Sequence, residues 1–165
     1  MRCFSTREMT AAALVGGLYA VLSYFSNIFG LTFGPVQCRF SEALTVLPFL
    51  YPASAWGLFI GCIVSNLLSP YGPLDLIFGS AATLLAGLLT ARCRRRWLAA
   101  LPPVLCNAVI VGEVIAFQEV GFSGMFGSVF IYHALTVGVG QVIACYGLGT
   151  LLLGMLGGRV PRKEK

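Results

Sequence analysis

The sequence predicts an all-α integral membrane protein: a single transmembrane domain over residues 1–165, with six membrane-spanning helices and both termini in the cytoplasm. Of the 165 residues, 58% are hydrophobic and only 10% are charged. A soluble domain of this size could not bury so much apolar surface in one core. Most of the charged residues flank long apolar runs, as charged residues do at the ends of membrane spans.

The apolar segments lie at about residues 8–27, 41–51, 54–69, 74–91, 100–118 and 127–156. The first resembles a secretory signal peptide in its basic start and apolar middle, but Glu8 and the lack of a small-residue cleavage site favour a retained span. The second and third are separate because "YPAS" breaks the run, where Pro52 removes a backbone donor. Both are shorter than the roughly 20 residues that cross a bilayer, so we expect them to be tilted or packed within protein.

The positions of the basic residues also indicate that residues 41–69 form two spans rather than one. With six spans, both termini and the run "RCRRRW" at 92–97 lie on one side, whereas five spans would put this run opposite Arg2 and Arg7. Every Lys and Arg except Arg39 is then cytoplasmic. The last segment is long enough to tilt or to emerge into the cytoplasm as "GGRVPRKEK".

Composition and motifs disfavour several classes of function. The net charge of +5 comes from residues that flank spans, so it indicates topology rather than a nucleic-acid surface. The six cysteines are irregularly spaced without a C-x-x-C pair, so we expect no zinc site, disulfide framework or cofactor. The chain has no P-loop motif. "GFSG" at 121–124 lacks a base histidine on another helix, so we expect no enzyme.

Polar residues of the predicted spans and outer loops gather in the outer half of the membrane. Ionisable groups at membrane depth are costly, so a cluster of them predicts a functional site. The ionisable members carry one positive and four negative charges besides a histidine, which favours a cationic ligand or one rich in hydrogen-bond donors. This layer comprises Gln37, Arg39, Glu42, Asn66, Asp75, Glu113, Glu119 and His133.

Simpler roles remain open for most of these residues. Arg39 and Glu42, three positions apart, could form an ordinary ion pair on a helix surface. Asp75 follows "GP" at a helix start, so it could serve as a helix cap and have no role in binding. Glu119 could be a loop charge and His133 a donor to a backbone carbonyl.

Aromatic residues are interleaved with the polar layer and offer stacking faces for a planar heterocycle. They also fit the aromatic belt found at membrane interfaces. They are Phe33, Phe40, Tyr71, Phe117, Phe122, Phe126, Phe130 and Tyr132.

Five blocks of the chain closely resemble the queuosine precursor transporter (QueT) family, over about residues 8–156. The blocks are "FGPVQCRFSEALTVLPFL", "GLFIGCIVSNLLS", "GPLDLIFGSAATLLAGLLT", "LPPVLCNAVIVG" and "VGVGQVIACYGLG". The pattern "GPVQ-x-RFSEALT-x-LPFL" in the first block is unlike generic apolar sequence. Members of this family are the substrate-binding S components of energy-coupling factor (ECF) transporters.

The resemblance implies a six-helix, RibU-like S-component bundle in a bacterial plasma membrane. It also implies partners in a shared bilayer, namely a transmembrane coupling protein and two cytoplasmic ATPase subunits. The substrate would be a queuine-type deazaguanine such as preQ0 or preQ1, carried inward as the S component topples. Small residues on the first helix would dock the coupling protein, here Ala12, Ala13, Gly16 and Gly17.

A deazaguanine presents N–H donors on its pyrimidine edge, which a carboxylate can accept in pairs. We expect Glu113 to bind this edge, because it has no cationic partner within a helical turn. Gln37, Asn107 or Gln141 would bind the carbonyl or the remaining donors.

We further expect Arg39 to orient Glu42 and to close the first loop over the ligand. Two positions depart from the family pattern. Cys38 stands where an aromatic residue is commoner, which weakens the expectation of a stacking contact, and Gln141 stands where glutamate is frequent, which changes the charge of the pocket.

Two other functions stay open on the residues alone. One is a self-sufficient, proton-coupled secondary transporter of a small cationic or heterocyclic solute, with Glu113 as proton relay, although no inverted repeat is apparent. The other is a membrane scaffold or pore, which would distribute polar residues through both leaflets.

Overall fold

The structure is a computed structural model that describes residues 5–31, 37–67, 69 and 72–157, and every regular element in these ranges is a helix. This confirms the predicted all-α class for the described residues. A single 3₁₀ turn, Arg96–Leu98, precedes the fifth helix. The described residues form six helices, namely α1 (Thr6–Ile28), α2 (Phe40–Phe49), α3 (Ser54–Asn66), α4 (Gly72–Arg92), α5 (Leu101–Val120) and α6 (Phe126–Gly157).

Within the part of the chain that the structure describes, four helical stretches are long and apolar enough to cross a membrane: α1, α4, α6 and the stretch Arg96–Val120 that contains α5. α2 is a 3₁₀-helix of 10 residues and α3 an α-helix of 13 residues. Each is roughly 20 Å long, which is less than the roughly 30 Å of a hydrocarbon layer. The helical structure is interrupted between α2 and α3, around Pro52, as the sequence predicts.

α1 begins with a capping box, which accounts for the acidic residue near its start. The Ser5 hydroxyl accepts a hydrogen bond from the Glu8 backbone N–H at 3.3 Å, and the Glu8 carboxylate accepts one from the Ser5 N–H at 2.9 Å. Both bonds satisfy N–H groups that the first turn of a helix leaves without partners.

α1 and α3 are in backbone contact through small residues. A Cβ atom added at Gly57 would lie 1.9 Å from the Ala12 carbonyl oxygen, and one added at Gly61 would lie 2.4 Å from that of Gly16. Only glycine permits such an approach. Because the contacts follow the same order along both helices, α1 and α3 are parallel.

Successive helices run in alternating directions. Gly112 of α5 faces Ala134 of α6, and Ala108 faces Gly138, so the order of contacts is reversed and these two helices are antiparallel. Hydrogen bonds in reversed order make α2 antiparallel to α1 and α4 antiparallel to α3. α5 is antiparallel to α2, because Glu42 bonds to Asn107 while Val46, further along α2, packs with Val104. The first residues of α1 and the last described residues of α6 therefore lie at the same end of the bundle.

α2 lies at the centre of the bundle, where Ser41–Pro48 is buried without interruption. Val46 packs with α5 and α6, while Leu44 and Leu47 pack with α1 and α3. The outer faces of the long helices carry exposed apolar side chains, such as Leu14 at 70% and Ile28 at 79% exposure. A short helix is thus enclosed by longer ones whose outer faces suit lipid.

Candidate functional site

A polar cavity lies inside the bundle, between the residues that precede α2 and the helices α2 to α6. Its volume is about 20 Å³, which is enough for one or two water molecules. Seven of the nine residues predicted to bind substrate line it: Gln37, Arg39, Glu42, Asn66, Asp75, Asn107 and Gln141.

Glu42 contributes a carboxylate that two other helices hold in place. Its side chain is only 3% exposed. Oε1 accepts a hydrogen bond of 2.6 Å from the Tyr19 hydroxyl of α1, and Oε2 accepts one of 3.1 Å from Nδ2 of Asn107 on α5. The Gln141 amide of α6 faces the same carboxylate. α2 keeps Glu42 away from lipid, because the whole stretch Ser41–Pro48 of this helix is buried.

Arg39 reaches across the cavity to α3 and α4. Nη1 donates a hydrogen bond of 3.2 Å to Oδ1 of Asn66, and Nη2 lies 3.8 Å from Oδ2 of Asp75. The same Asp75 oxygen accepts a hydrogen bond of 2.6 Å from the Ser69 hydroxyl. Arg39 was predicted to orient the Glu42 carboxylate. The hydrogen bonds to that carboxylate come from Tyr19 and Asn107, whereas Arg39 contacts Asn66 and Asp75.

Cys62 joins the polar network on the α3 side of the cavity. Its sulfur accepts hydrogen bonds from the Thr83 hydroxyl at 3.3 Å and from Nδ2 of Asn66 at 3.5 Å. The thiol is 2% exposed and lines the cavity together with Thr83. Neither Cys62 nor Thr83 was among the residues that the sequence predicted for the site.

Two π-helical segments adjoin the cavity, and such segments are frequent at functional sites. One, Asp75–Gly79 of α4, begins with the cavity carboxylate itself. A Cβ atom at Gly79 would lie 2.6 Å from Oδ1 of Asp75, so glycine leaves room for the acid. The other, Ile143–Gly149, follows Gln141 in α6.

The residues just before α2 lie directly on α6. A Cβ atom at Gly140 would lie 1.8 Å from the backbone oxygen of Gln37, so this contact requires glycine. Gln37 is 8% exposed, and the backbone N–H of Cys38 donates a 3.0 Å hydrogen bond to the carbonyl of Leu31. Gly140 thus sets the distance between Gln37 and the wall formed by α6.

Glu113 does not lie at the cavity, although it was the strongest sequence candidate for binding a heterocycle. α5 directs Asn107 and Val111 to the cavity, and at 100° per residue Glu113 is about 200° away from Val111 around the helix. Its side chain is exposed. The predicted edge-binding role of Glu113 therefore has no support from its position.

His133 also lies outside the cavity lining, one helical turn from Val137 on α6. Its Nε2 is 2.6 Å from Oε2 of Glu119, which the structure places within α5 rather than in a loop. The His133 side chain is 17% exposed and that of Glu119 58%. The two residues thus pair with each other.

The predicted docking residues of α1 divide between two faces. Gly16 is buried, and it and Ala12 contact the backbone of α3. Ala13 and Gly17 are exposed, and a Cβ atom at Gly17 would have no neighbour within 4 Å. Only Ala13 and Gly17 therefore face outwards, where a partner could dock.

None of the predicted aromatic residues lines the described part of the cavity. Phe117, Phe122, Phe126 and Phe130 contact one another in sequence where α5 meets α6. Phe33 and Tyr71 lie outside the described residues.

Tyr19 is the principal site residue that the sequence analysis missed. It is fully buried. Its residue type made it a candidate, because a tyrosine that is buried within a membrane bundle needs a partner for its hydroxyl. The sequence alone did not show whether Tyr19 faces lipid or protein.

Comparison with known proteins places these observations in a family. A family model described as "QueT transporter" matches residues 9–157. The curated "Queuosine precursor transporter QueT" of Lactococcus lactis subsp. cremoris (strain MG1363) is 32% identical over 84 residues, which are 51% of this chain and 49% of that protein. The match thus spans about half the length of this relative. No solved structure matches.

Proposed function

Because the chain belongs to the QueT transporter family, we propose that it is the substrate-capture subunit of an ATP-powered ECF uptake transporter for queuosine precursors. The family is one of transporters, and the long apolar helices make the chain a multi-pass membrane protein. The proposal adds the substrate class, the partner subunits and the bacterial plasma membrane as location.

The buried carboxylate of Glu42 is the observation that supports this substrate class most. A carboxylate has about four acceptor positions, of which Tyr19 and Asn107 occupy one on each oxygen. Each oxygen has one further position, and the Gln141 amide, which faces the same carboxylate, would have to yield to a substrate that uses both. The pyrimidine edge of a deazaguanine offers two parallel N–H donors, which fit two such positions side by side. We therefore assign to Glu42 the edge-binding role first expected of Glu113.

The charges of the cavity favour a substrate with a positive group. If all three ionise, the carboxylates of Glu42 and Asp75 exceed the guanidinium of Arg39 by one negative charge. Asp75 is 2% exposed, and its Oδ2 already has Ser69 and Arg39 as partners. An aminomethyl substituent, carried as an ammonium, would restore neutrality and could bind this second carboxylate. Gln37 and Gln141 remain for the carbonyl group of the heterocycle.

Substrate entry requires the cavity to widen. A volume of about 20 Å³ holds one or two water molecules, whereas a bicyclic heterocycle has many more non-hydrogen atoms. The proposed substrate would therefore need a wider cavity than the one that the described residues line. Binding would separate the cavity walls, with water leaving the polar groups as the substrate replaces it.

The topology proposed is six spans with both termini in the cytoplasm. Alternating helix directions put the described ends of α1 and α6 at the end of the bundle that carries Arg7 and the "RCRRRW" run. The positive-inside rule makes that end cytoplasmic. α2 and α3 would then reach the full width of the membrane only with the residues that flank them.

The partners proposed are a transmembrane coupling protein and two ATPase subunits. The chain carries no P-loop motif, so ATP hydrolysis would come from another subunit. The exposed Ala13 and Gly17 of α1 would let a helix of the coupling protein approach closely. Ala12 and Gly16 are left out of this docking surface because they contact α3.

The decisive experiment is to purify the chain in mild detergent and identify its bound small molecule by mass spectrometry. A deazaguanine is the expected result, and a different class of ligand would contradict the proposal. Proteoliposomes then test the energy source. Uptake should require the coupling protein, both ATPases and ATP, whereas uptake by the chain alone, driven by a proton gradient, would favour a secondary transporter.

A further inference from the structure

Tyr19 lies outside the cavity lining and contacts residues of that lining. It is 0% exposed, and its hydroxyl donates a hydrogen bond of 2.6 Å to Oε1 of Glu42. Glu42 lines the cavity, and Tyr19 does not. The hydroxyl can therefore affect a bound substrate only through groups of the cavity lining, and of these it donates to the Glu42 carboxylate at 2.6 Å and, more weakly, to the Cys62 sulfur at 3.7 Å.

The packing of α1 on α3 sets the position of this hydroxyl. Gly16, three residues before Tyr19 and on the same face of α1, lies so near α3 that an added Cβ atom would be 2.5 Å from the Gly57 carbonyl oxygen. Because the two backbones touch, α1 has little freedom to slide along α3. The ring packs with apolar residues of α2 and α3, namely Leu44, Leu47, Leu58 and Cys62.

The orientation of the Glu42 carboxylate depends on the groups that donate to it, while the Gln141 amide also faces it. Tyr19 binds Oε1 and Asn107 binds Oε2. The terminal torsion of a glutamate is broad, so the carboxylate rotates easily when one donor is lost. Two parallel N–H donors of a substrate need both oxygens presented together, and rotation of the carboxylate would break one of those bonds.

We infer that Tyr19 is a positioning residue, which fixes the Glu42 carboxylate and thereby sets the affinity for the heterocycle edge. This inference rests on the proposed function, because it takes Glu42 as the group that binds that edge. A purely structural hydroxyl would influence the stability of the fold and leave the affinity of the folded protein unchanged.

Ser23 provides a matched control on the same helix. Its hydroxyl donates a hydrogen bond of 2.7 Å to Oγ of Ser41 on α2, and both side chains are buried. Like Tyr19 it connects α1 to α2, but neither serine lines the cavity. Ser23→Ala therefore removes a buried bond between the same helices without removing a partner of Glu42.

The test is a double-mutant cycle on the Kd of 7-aminomethyl-7-deazaguanine, titrated into the purified chain. Tyr19→Phe should weaken binding about tenfold, as expected for one hydrogen bond to a charged group. Ser23→Ala should change Kd by less than about twofold, and in a Glu42→Gln background Tyr19→Phe should add less than about twofold. Thermal unfolding without ligand shows that each variant is folded.

Wild-type affinity in Tyr19→Phe would overturn the inference. An equal loss in the Glu42→Gln background, or an equal loss in Ser23→Ala, would also overturn it, because the hydroxyl would then not act through Glu42. If the wild-type chain bound no deazaguanine, the proposed function would fall and this inference with it. If the wild-type chain bound the deazaguanine and the Tyr19→Phe variant bound it with the same Kd, this inference would be wrong while the proposed function would stand.

Discussion

Nη2 of Arg39 lies 3.8 Å from Oδ2 of Asp75, so an ion pair joins the residues before α2 to the start of α4 across the cavity. The pair leaves the Glu42 carboxylate as the unbalanced charge of the site. Cavity charge should therefore decide which substituent of a deazaguanine is preferred.

Substitutions at this pair should change the preference between an aminomethyl and a cyano substituent. Asp75→Asn removes a negative charge and should weaken the cationic aminomethyl form about tenfold relative to the neutral cyano form. Arg39→Gln should move the ratio the other way. Calorimetric titration with both compounds measures it. Ser69→Ala, which removes a hydrogen bond to Asp75 but no charge, is the control, and a ratio that stays constant in both charge variants would contradict the proposal.

Two glutamates of the membrane bundle should differ sharply in their importance for binding. Glu42→Gln replaces a buried acceptor by an amide that offers one oxygen, and should weaken deazaguanine binding roughly 30-fold to 100-fold. Glu113→Gln is the matched control, because this side chain is exposed and does not line the cavity. Its Kd should stay near that of the wild type. The reverse order of the two effects would restore Glu113 as the edge-binding residue.

Adjacent glycines of α1 should differ in their effect on stability. A Cβ atom at Gly16 meets the Gly57 backbone oxygen at 2.5 Å, whereas one at Gly17 meets nothing within 4 Å. Gly16→Ala should lower the free energy of unfolding by about 1–3 kcal/mol, and Gly17→Ala should leave it nearly unchanged. Thermal unfolding in one detergent compares the two variants. Equal melting temperatures would show that α1 and α3 are not in backbone contact.

Two glycines of α6 should differ in their effect on substrate affinity. Gly140→Ala places a Cβ atom 1.8 Å from the backbone oxygen of Gln37, so the residues before α2 must move away from the cavity. We expect a loss of affinity of about tenfold, since Gln37 and Arg39 both line the cavity. Gly138→Ala is the control, with an ordinary 3.5 Å contact to Ala108. Unchanged affinity in Gly140→Ala would mean that this contact does not shape the site.

Much of the cavity was predictable because polar residues in an apolar chain are few. Gln37, Arg39, Glu42, Asn66 and Asp75 were all selected for their predicted depth, and all line the cavity. Whether they bind substrate stays a prediction. Depth follows from distance along a helix, which the sequence contains directly.

The sequence was least informative about the direction in which a side chain points around its helix axis. Glu113 has a plausible depth but points away from the cavity, while Tyr19 was overlooked although it holds Glu42. α1 and α5 are apolar on nearly all faces, so no hydrophobic stripe reveals which side is buried. Ala12 and Gly16 belong to the same case, because a small-residue pattern does not distinguish an internal contact from a docking surface.

The sequence by itself determined the helical membrane class, the division into six apolar segments, the likeness to a transporter family and the set of polar residues at one depth. These depend on composition, spacing and local pattern. Tertiary structure alone decided which carboxylate faces inwards, which residues of α1 stay exposed and which hydroxyl binds Glu42. The reason is physical: the rotation of each helix is set by packing against its neighbours, above all where glycines let two backbones touch, and that packing depends on residues far apart in the chain.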